Sequence, residues 1–316
     1  MVASLRRGIR AGDLALVVAA VCFGSTFLVV QGAIERVEPI PFLAVRFLLA
    51  AAVLWPLARS RPSSPGEVRD GLLAGGALVL GYVLQTVGLQ YTGSATSAFI
   101  TYLLVVFVPL LALVLLRRRP HPVTLLGVVV AVVGLVLLTD PGGAGQSGGF
   151  GRGELLTLGC AVAFAAHVLI LGETAHRHDP IRLAAVQVTL VGVACAVPGL
   201  WLGGYRFPAP ALAAAVATAL LATALAFGLQ VFGQRSVPPA RAALLLLLEP
   251  VFAGVIASIG GEGLTATQLG GATLILGAVI LSETLPDTLQ HRLDRRVNSR
   301  EAGFDNDRSQ PVPVPD

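Results

Sequence analysis

The chain has 316 residues, of which 55% are hydrophobic and 13% charged, with a mean hydropathy of +0.79. Soluble domains carry about 25% charged residues, so the composition excludes a soluble globular fold and predicts an all-α integral membrane protein. The net charge is +4 and all 22 basic residues are Arg; a chain without Lys offers no Walker lysine, which argues against ATP-driven transport by this polypeptide.

Long apolar runs separated by charged or Pro/Gly punctuation predict ten transmembrane helices. In chain order they cover about 14–33, 40–58, 71–90, 95–116, 123–139, 153–172, 181–202, 210–232, 240–260 and 266–284. The N-terminal MVASLRRGIR and the run after it imitate a signal peptide but lack a small-residue cleavage site, so the first span is expected to be retained. Cys22, Cys160 and Cys195 fall inside apolar runs without metal-type spacing and read as small buried hydrophobes. Residues 141–152 form a Gly-rich connector. Its GAGQSG at Gly143–Gly148 satisfies G-x-G-x-x-G literally, but the apolar run before it is membrane length rather than a short strand, so no dinucleotide site is predicted. The segment 286–316 turns polar and ends in PVPVPD, a disordered cytoplasmic tail.

Arg placement sets the expected orientation, because cytoplasmic loops retain basic residues during insertion. With the N-terminus inside, seventeen Arg fall on the cytoplasmic side and only Arg36, Arg152 and Arg206 on the other; Arg46 and Arg241 lie within or at the edge of spans. Both termini are therefore expected in the cytoplasm, with the chain in the cell membrane. The Arg117–Arg119 run is read as a topological anchor in contact with the bilayer, not as a site.

The two halves match each other. A shift of 141 places Phe23 on Phe164, Thr26 on His167, Glu38 on Asp179, Pro39 on Pro180 and Arg46 on Gln187. A shift of 145 places Gln85 on Gln230, Gly88 on Gly233, Ala95 on Ala240, Ala98 on Ala243 and Phe107 on Phe252. Residues 1–140 and 153–285 are thus predicted as two repeats of five helices. Five is odd, so the second enters the membrane from the opposite side, and such inverted repeats place a substrate site near the midplane.

Candidate functional residues are the polar groups inside spans, which must find partners or line water. Ala242 to Ile259 is apolar apart from Glu249 and Ser258, which puts Glu249 near mid-bilayer. There a carboxyl costs on the order of 2.5–3.5 kcal/mol and is expected to face the bundle interior. Pro250 removes a backbone donor beside it, predicting a kink and a freed carbonyl. Ser25, Thr26, Gln85, Thr101, Tyr102, His167 and Gln230 complete the cavity set. For Ser25, Thr26 and Thr101 a bond to the helix's own backbone is the competing role, and for His167 a packing role as a neutral, hydrogen-bonded ring. Arg46 is placed where its side chain can snorkel outward, as an interface anchor or inter-helix clamp; the alternative is a gate charge or carboxylate ligand.

FGSTFLVV at 23–30, PFLAVRFLLAA at 41–51, LQTVGLQYTGSATSAFIT at 84–101 and PPARAALLLLLEPVFAGVIASIGGEGLT at 238–265 resemble the recurring segments of the EamA-type members of the drug/metabolite transporter superfamily. The resemblance covers about 14–284 and implies ten helices in two inverted five-helix repeats around a cavity for small metabolites such as amino acids or drugs, often exported. The chain departs from the pattern where Leu104-Val105 stands opposite Glu249-Pro250, where RRRPHP stands near the counterpart of the 261–262 Gly-Glu turn, and where Ala165, Ala166 and His167 replace aromatics of the sixth helix. The function expected is secondary transport of a small molecule by alternating access, coupled to a proton at Glu249 and His167 or uncoupled as a facilitator. No cofactor, metal or nucleic acid is expected, and the oligomeric state stays open. A membrane enzyme or a receptor-like bundle is the alternative; no G-x-S-x-G or H-E-x-x-H motif favours an enzyme.

Overall fold

The computed structural model describes residues 11–92, 94–118, 120, 122–139, 151–259 and 265–281. The N-terminal ten residues, nearly all of the 141–152 connector, the turn at 261–262 and the 286–316 tail lie outside the described residues. Among the described residues all regular structure is helical. In chain order the elements are α1 (Ala11–Ile34), α2 (Pro39–Arg59), α3 (Glu67–Gly88), α4 (Ser94–Tyr102 and Leu104–Leu116), α5 (Pro122–Thr139), α6 (Arg152–Thr174), α7 (Pro180–Trp201), α8 (Ala209–Gln234), α9 (Pro239–Leu246 and Glu249–Ile259) and α10 (Ala266–Leu281). Seven of them, α2, α3, α4, α6, α7, α8 and α9, are long and apolar enough to cross a membrane. The chain is therefore a multi-pass membrane protein. Large apolar side chains on the outside, among them Val114, Leu126, Val129 and Leu200, are solvated by lipid rather than by protein.

Proline and carboxylates set several helix starts. Pro39 and Pro180 open α2 and α7, where the missing N–H costs nothing and the fixed φ is already helical. Before Pro180 the Asp179 carboxylate accepts from the amides of Ile181 and Arg182 at 3.0 and 3.2 Å. The helix α3 begins four residues earlier than the hydrophobic pattern predicts, at Glu67. Glu67 and Asp70 are buried because each has a cationic partner, a tertiary compensation that hydropathy does not register.

Neither α4 nor α9 is the continuous rod expected. The first breaks at Leu103 and the second at Leu247–Leu248. In α9 the break adjoins Pro250, which leaves the Leu246 carbonyl without an amide four residues on. A shift of 145 carries Leu103 onto Leu248, so the kink recurs at one place in both halves although the earlier helix has Val105 where α9 has proline.

Helix pairing follows an exchange of each element with the one five places on. The α2·α7 pair maps onto itself, α3·α6 becomes α8·α1, α4·α6 becomes α9·α1, and α3·α7 becomes α8·α2. Close backbone approach obeys the same rule. A Cβ on Gly233 would lie 2.7 Å from the Gly12 carbonyl oxygen, and one on Gly88 would lie 3.2 Å from that of Gly153. Gly12 and Gly153 differ by 141, Gly88 and Gly233 by 145, the two repeat shifts. Small residues at such crossings let the helices gain van der Waals contact where no hydrophobic driving force separates helix from lipid.

Two apolar cores result. One joins α1, α4, α5, α9 and α10 through residues such as Leu16, Val105, Leu135, Leu245 and Ile275. The other joins α2, α3, α7 and α8 through Phe47, Leu78, Leu183 and Val231. Phe23 packs against both.

The end of the bundle that carries the start of α1 is tied by charge. Arg182 donates from Nε to Glu67 at 2.8 Å and from Nη1 to the Ala58 carbonyl at 3.2 Å, joining α7 to α3 and α2. His178 Nε2 lies 2.9 Å from Asp70 Oδ2 while its Nδ1 lies 2.6 Å from Ser64 Oγ. Arg241 reaches Asp13 at 2.9 Å and links α9 to α1.

Substituting Gly233→Ala should destabilise the protein by about 1–3 kcal/mol, because the new methyl meets the Gly12 backbone and cannot displace it. Gly228→Ala, which faces open space, should be neutral or gain up to about 1 kcal/mol of helix propensity. Thermal unfolding of the two variants in detergent checks the contrast.

Candidate functional site

A cavity of about 480 Å³ lies between the two cores. Its outer reach is bounded by Ile34, Glu38, Leu89, Gln90 and Ser97, at the end opposite the Arg182 and His178 network, and Glu38 and Gln90 are exposed there. Its inner reach is lined by Thr26, Gln85, Thr101, Tyr102, His167, Gln230 and Glu249, and Arg46 stands in the same wall. Seven of the eight residues singled out for the cavity by sequence thus meet in one space. Ser25 does not; its hydroxyl donates to the Cys22 carbonyl at 3.0 Å and it stands outside the lining. Thr26 also back-bonds, to Cys22 and Phe23 at 3.1 and 3.0 Å, yet still faces the cavity.

Arg46 departs most from its expected place. Only 5% exposed, it turns inward instead of snorkelling to the surface. Its Nε donates to Thr223 Oγ1 at 2.8 Å, and the guanidinium lies 5.5 Å from the Phe47 ring centre and 6.0 Å from that of Tyr82. An inward cation without a carboxylate contact has a donor met by a hydroxyl and its planar face by rings, the environment a weakly hydrated guanidinium tolerates best. Thr223 can accept because α8 widens to a π-helical turn over Ala219–Leu225, with the Thr223 hydroxyl donating to the Thr218 carbonyl at 3.1 Å. Such single-turn widenings gather at functional sites.

Glu249 opens the second half of α9, directly after the break. Its side chain shares the cavity wall with Tyr102 and Arg46. Backbone approach holds it there: a Cβ on Gly24 of α1 would sit 2.5 Å from the Glu249 carbonyl oxygen. The counterpart of Gly24 under the 141 shift is Ala165, so α9 comes closer to α1 than α4 does to α6.

His167 and Gln187 form a buried pair, Nε2 to Oε1 at 2.7 Å, and Gln187 Nε2 donates to Leu183 O at 3.1 Å. Its repeat counterpart is Thr26 with Arg46, so the same two positions hold a polar pair in one half and a backbone-bonded hydroxyl beside a cation in the other. Gln230 donates to Gln234 Oε1 at 3.2 Å, and Gln234 Nε2 in turn to Val168 O at 2.7 Å. Gln85 donates to Thr101 at 3.3 Å. An aromatic chain runs along the wall: Phe23 to Phe227 at 5.4 Å, Phe47 to Tyr82 at 5.0 Å and Tyr82 to Phe164 at 5.3 Å, each edge to face. Cys22, Cys160 and Cys195 are buried free thiols in the apolar shell.

Thr223, Tyr82, Gln187 and Phe227 were not among the sequence candidates. The repeat alignment carries a partial signal, since Arg46 falls on Gln187 and Leu78 on Thr223; the π turn that aims Thr223 has none.

Gly24→Ala should move the half-helix bearing Glu249 and cost about 1–3 kcal/mol, because the neighbour it meets is backbone. Lower thermal stability together with lost solute flux in proteoliposomes is the expected result; unchanged flux would show that the close approach does not position the carboxylate.

The chain matches the EamA-like transporter family twice, over residues 10–140 and 151–284. It is 32% identical over 271 residues to an uncharacterized transporter of Archaeoglobus fulgidus, a match covering 85% of this chain and 84% of that protein. It is 30% identical over 238 residues to the threonine/homoserine exporter RhtA of Salmonella typhimurium, covering 75% and 77%. A protein of known crystal structure shares the fold with a TM-score of 0.76 at 18% identity, covering 89% of this chain and 99% of that one.

Proposed function

Because the chain belongs to the EamA-like transporter family, we propose that it is a secondary transporter exporting small metabolites, amino acids among them, across the cytoplasmic membrane by alternating access. The observation that carries this reading is the cavity itself, lined by residues of both repeats, with the half-buried Glu249 carboxylate and the buried Arg46 guanidinium in its wall. Charged groups at that depth are expensive unless they serve a wet pathway. The function of RhtA, named a threonine/homoserine exporter, supports the outward direction and the solute class.

The architecture we propose is ten crossings in two inverted repeats, residues 1–140 and 153–285, joined by the 141–152 connector. The exchange of helix pairs between α1–α5 and α6–α10 supports it, as does the odd number of helices per repeat. With the Arg-rich loops and both termini in the cytoplasm, the cavity mouth at Glu38 and Gln90 faces outward. The cytoplasmic end is then held shut by Arg182 with Glu67, His178 with Asp70 and Arg241 with Asp13. Opening to the cytoplasm requires those contacts to separate while the Glu38 end closes, a rocking of one repeat on the other about the α2·α7 pair.

Within the cavity Glu249 and His167 are the groups able to exchange a proton. Coupling requires Glu249 to alternate between ionised and neutral forms, with substrate and proton taking turns at one carboxylate; without it the protein is a facilitator. Neither role needs a cofactor.

Purified protein in liposomes loaded with unlabelled L-threonine or L-homoserine should accumulate the labelled amino acid from outside by counterflow, chemically unchanged. Glu249→Gln should lower this flux by roughly tenfold or more and flatten its pH response. Wild-type flux and pH response in that variant would remove Glu249 from the mechanism. A chemically altered solute would make the protein an enzyme, and no movement of any solute a receptor-like bundle.

A further inference from the structure

The cavity's lining sorts by the two repeat shifts. At the inner reach both members of a related pair face it: Phe23 with Phe164, Thr26 with His167, and Gln85 with Gln230. Toward the mouth only first-repeat members do. Val30, Ile34, Glu38, Phe42, Leu89 and Ser97 line the outer cavity, and the shifts carry them onto Leu171, Ala175, Asp179, Leu183, Gln234 and Ala242, which line no part of it. Five of this second set are buried, and Asp179 is half-buried. A hydrogen bond and a close contact hold the set shut. Gln234 Nε2 donates to the Val168 carbonyl at 2.7 Å, tying α8 to α6, and a Cβ on Gly172 of α6 would lie 2.3 Å from Pro239 Cγ at the head of α9. Resting on the alternating-access reading, we infer that these six residues line a second, hidden vestibule toward the cytoplasm, and that Gln234 is the bar across it.

Repeats built on one plan can exchange arrangements. When the second takes the one the first has here, α6 and α7 part from α8 and α9, as the outer cavity now parts α1 and α2 from α3 and α4. Leu171, Ala175, Leu183 and Ala242 then meet water while Val30, Ile34, Phe42 and Leu89 leave it. Apolar surface exposed at one end is thus offset by apolar surface buried at the other, which keeps the two states close in free energy. Gln234 exchanges one neutral hydrogen bond for another, to water, so the bar lifts at small cost. Leu89, its counterpart, offers no such bond, and the two vestibules are therefore latched differently. Pairs with both members already on the cavity stay there in either state, so the solute's site need not move.

Single cysteines test this, because Cys22, Cys160 and Cys195 are buried and the unaltered chain serves as the blank. In sealed membrane vesicles carrying the full-length protein, Ala175→Cys and Ala242→Cys should react with a membrane-impermeant maleimide from one side, and Ile34→Cys from the opposite side. Both vestibule rates should exceed that of Ala185→Cys by roughly tenfold or more; Ala185 is buried on α7, and its counterpart Ala44 lies outside the cavity lining. Adding Gln234→Ala should raise the vestibule rates about fivefold and leave Ala185→Cys unchanged, whereas general loosening of the bundle raises all three. The inference falls if either folded vestibule variant reacts as slowly as Ala185→Cys or from the same side as Ile34→Cys, and Gln234 is not the bar if its substitution speeds all three positions or none. Should one vestibule variant fail to fold, the other decides. Labelling as expected without counterflow of any solute removes the transporter reading and leaves the vestibule. Counterflow with both positions inert removes the vestibule and leaves the transporter.

Discussion

Arg46, buried, and Glu249, half-buried, stand in the wall of one cavity in a bundle whose outer surface is Val, Leu and Ile. At that depth neither can be left without polar company, and the neighbouring structure is shaped by supplying it. The π turn of α8 aims Thr223 at the guanidinium, and the break in α9 places Glu249 at the head of a half-helix opposite Tyr102. These departures from regular helix, like the break of α4 at Leu103, occur beside residues that line the cavity; facing lipid, nothing would satisfy a freed backbone group.

Glycine contacts bring α1 onto α8 and α3 onto α6 at equivalent points of the two repeats, the first of them at Gly12 beside Asp13, and the charged contacts gather at that end with Glu67 and Asp70. The cavity widens toward the other end, at Glu38 and Gln90. Packing contacts of small residues tolerate a helix rolling on its neighbour; ion pairs among short carboxylates and Arg break when it does. A bundle tied by charge at one end and open at the other therefore has one set of contacts to exchange when its two halves tilt.

The repeat is not a copy in chemistry. Arg46 stands where the second half has Gln187, Glu249 where the first has Leu104, and His167 where it has Thr26. The first half contributes Glu38 and Arg46 to the cavity and the second Glu249, so the pseudo-symmetry that builds the space leaves its contents unequal.

Hydropathy and Pro/Gly punctuation located the helices to within a few residues, since a membrane span must be apolar over its whole length. The internal match pairs Glu38-Pro39 with Asp179-Pro180, which hold the same helix-start positions in both halves, though only Asp179 caps with its side chain. Mid-span polarity alone picked out Glu249, His167, Gln85 and Gln230, as a polar group in hydrocarbon has few structural excuses. It misplaced Ser25, whose hydroxyl is spent on its own helix, and the direction of Arg46, whose long side chain has two destinations that a linear pattern does not separate. The early start of α3 was hidden for the same reason: besides the Arg69 next to Asp70, the partners of Glu67 and Asp70 are Arg182 and His178, more than a hundred residues away. What the chain's own order of residues determined was how many apolar stretches there are, where they begin and which polar groups they carry. Tertiary structure alone decided which of those groups face one another, because partners such as Thr223 for Arg46 and Gln187 for His167 come from other helices, and only packing brings them within a hydrogen bond.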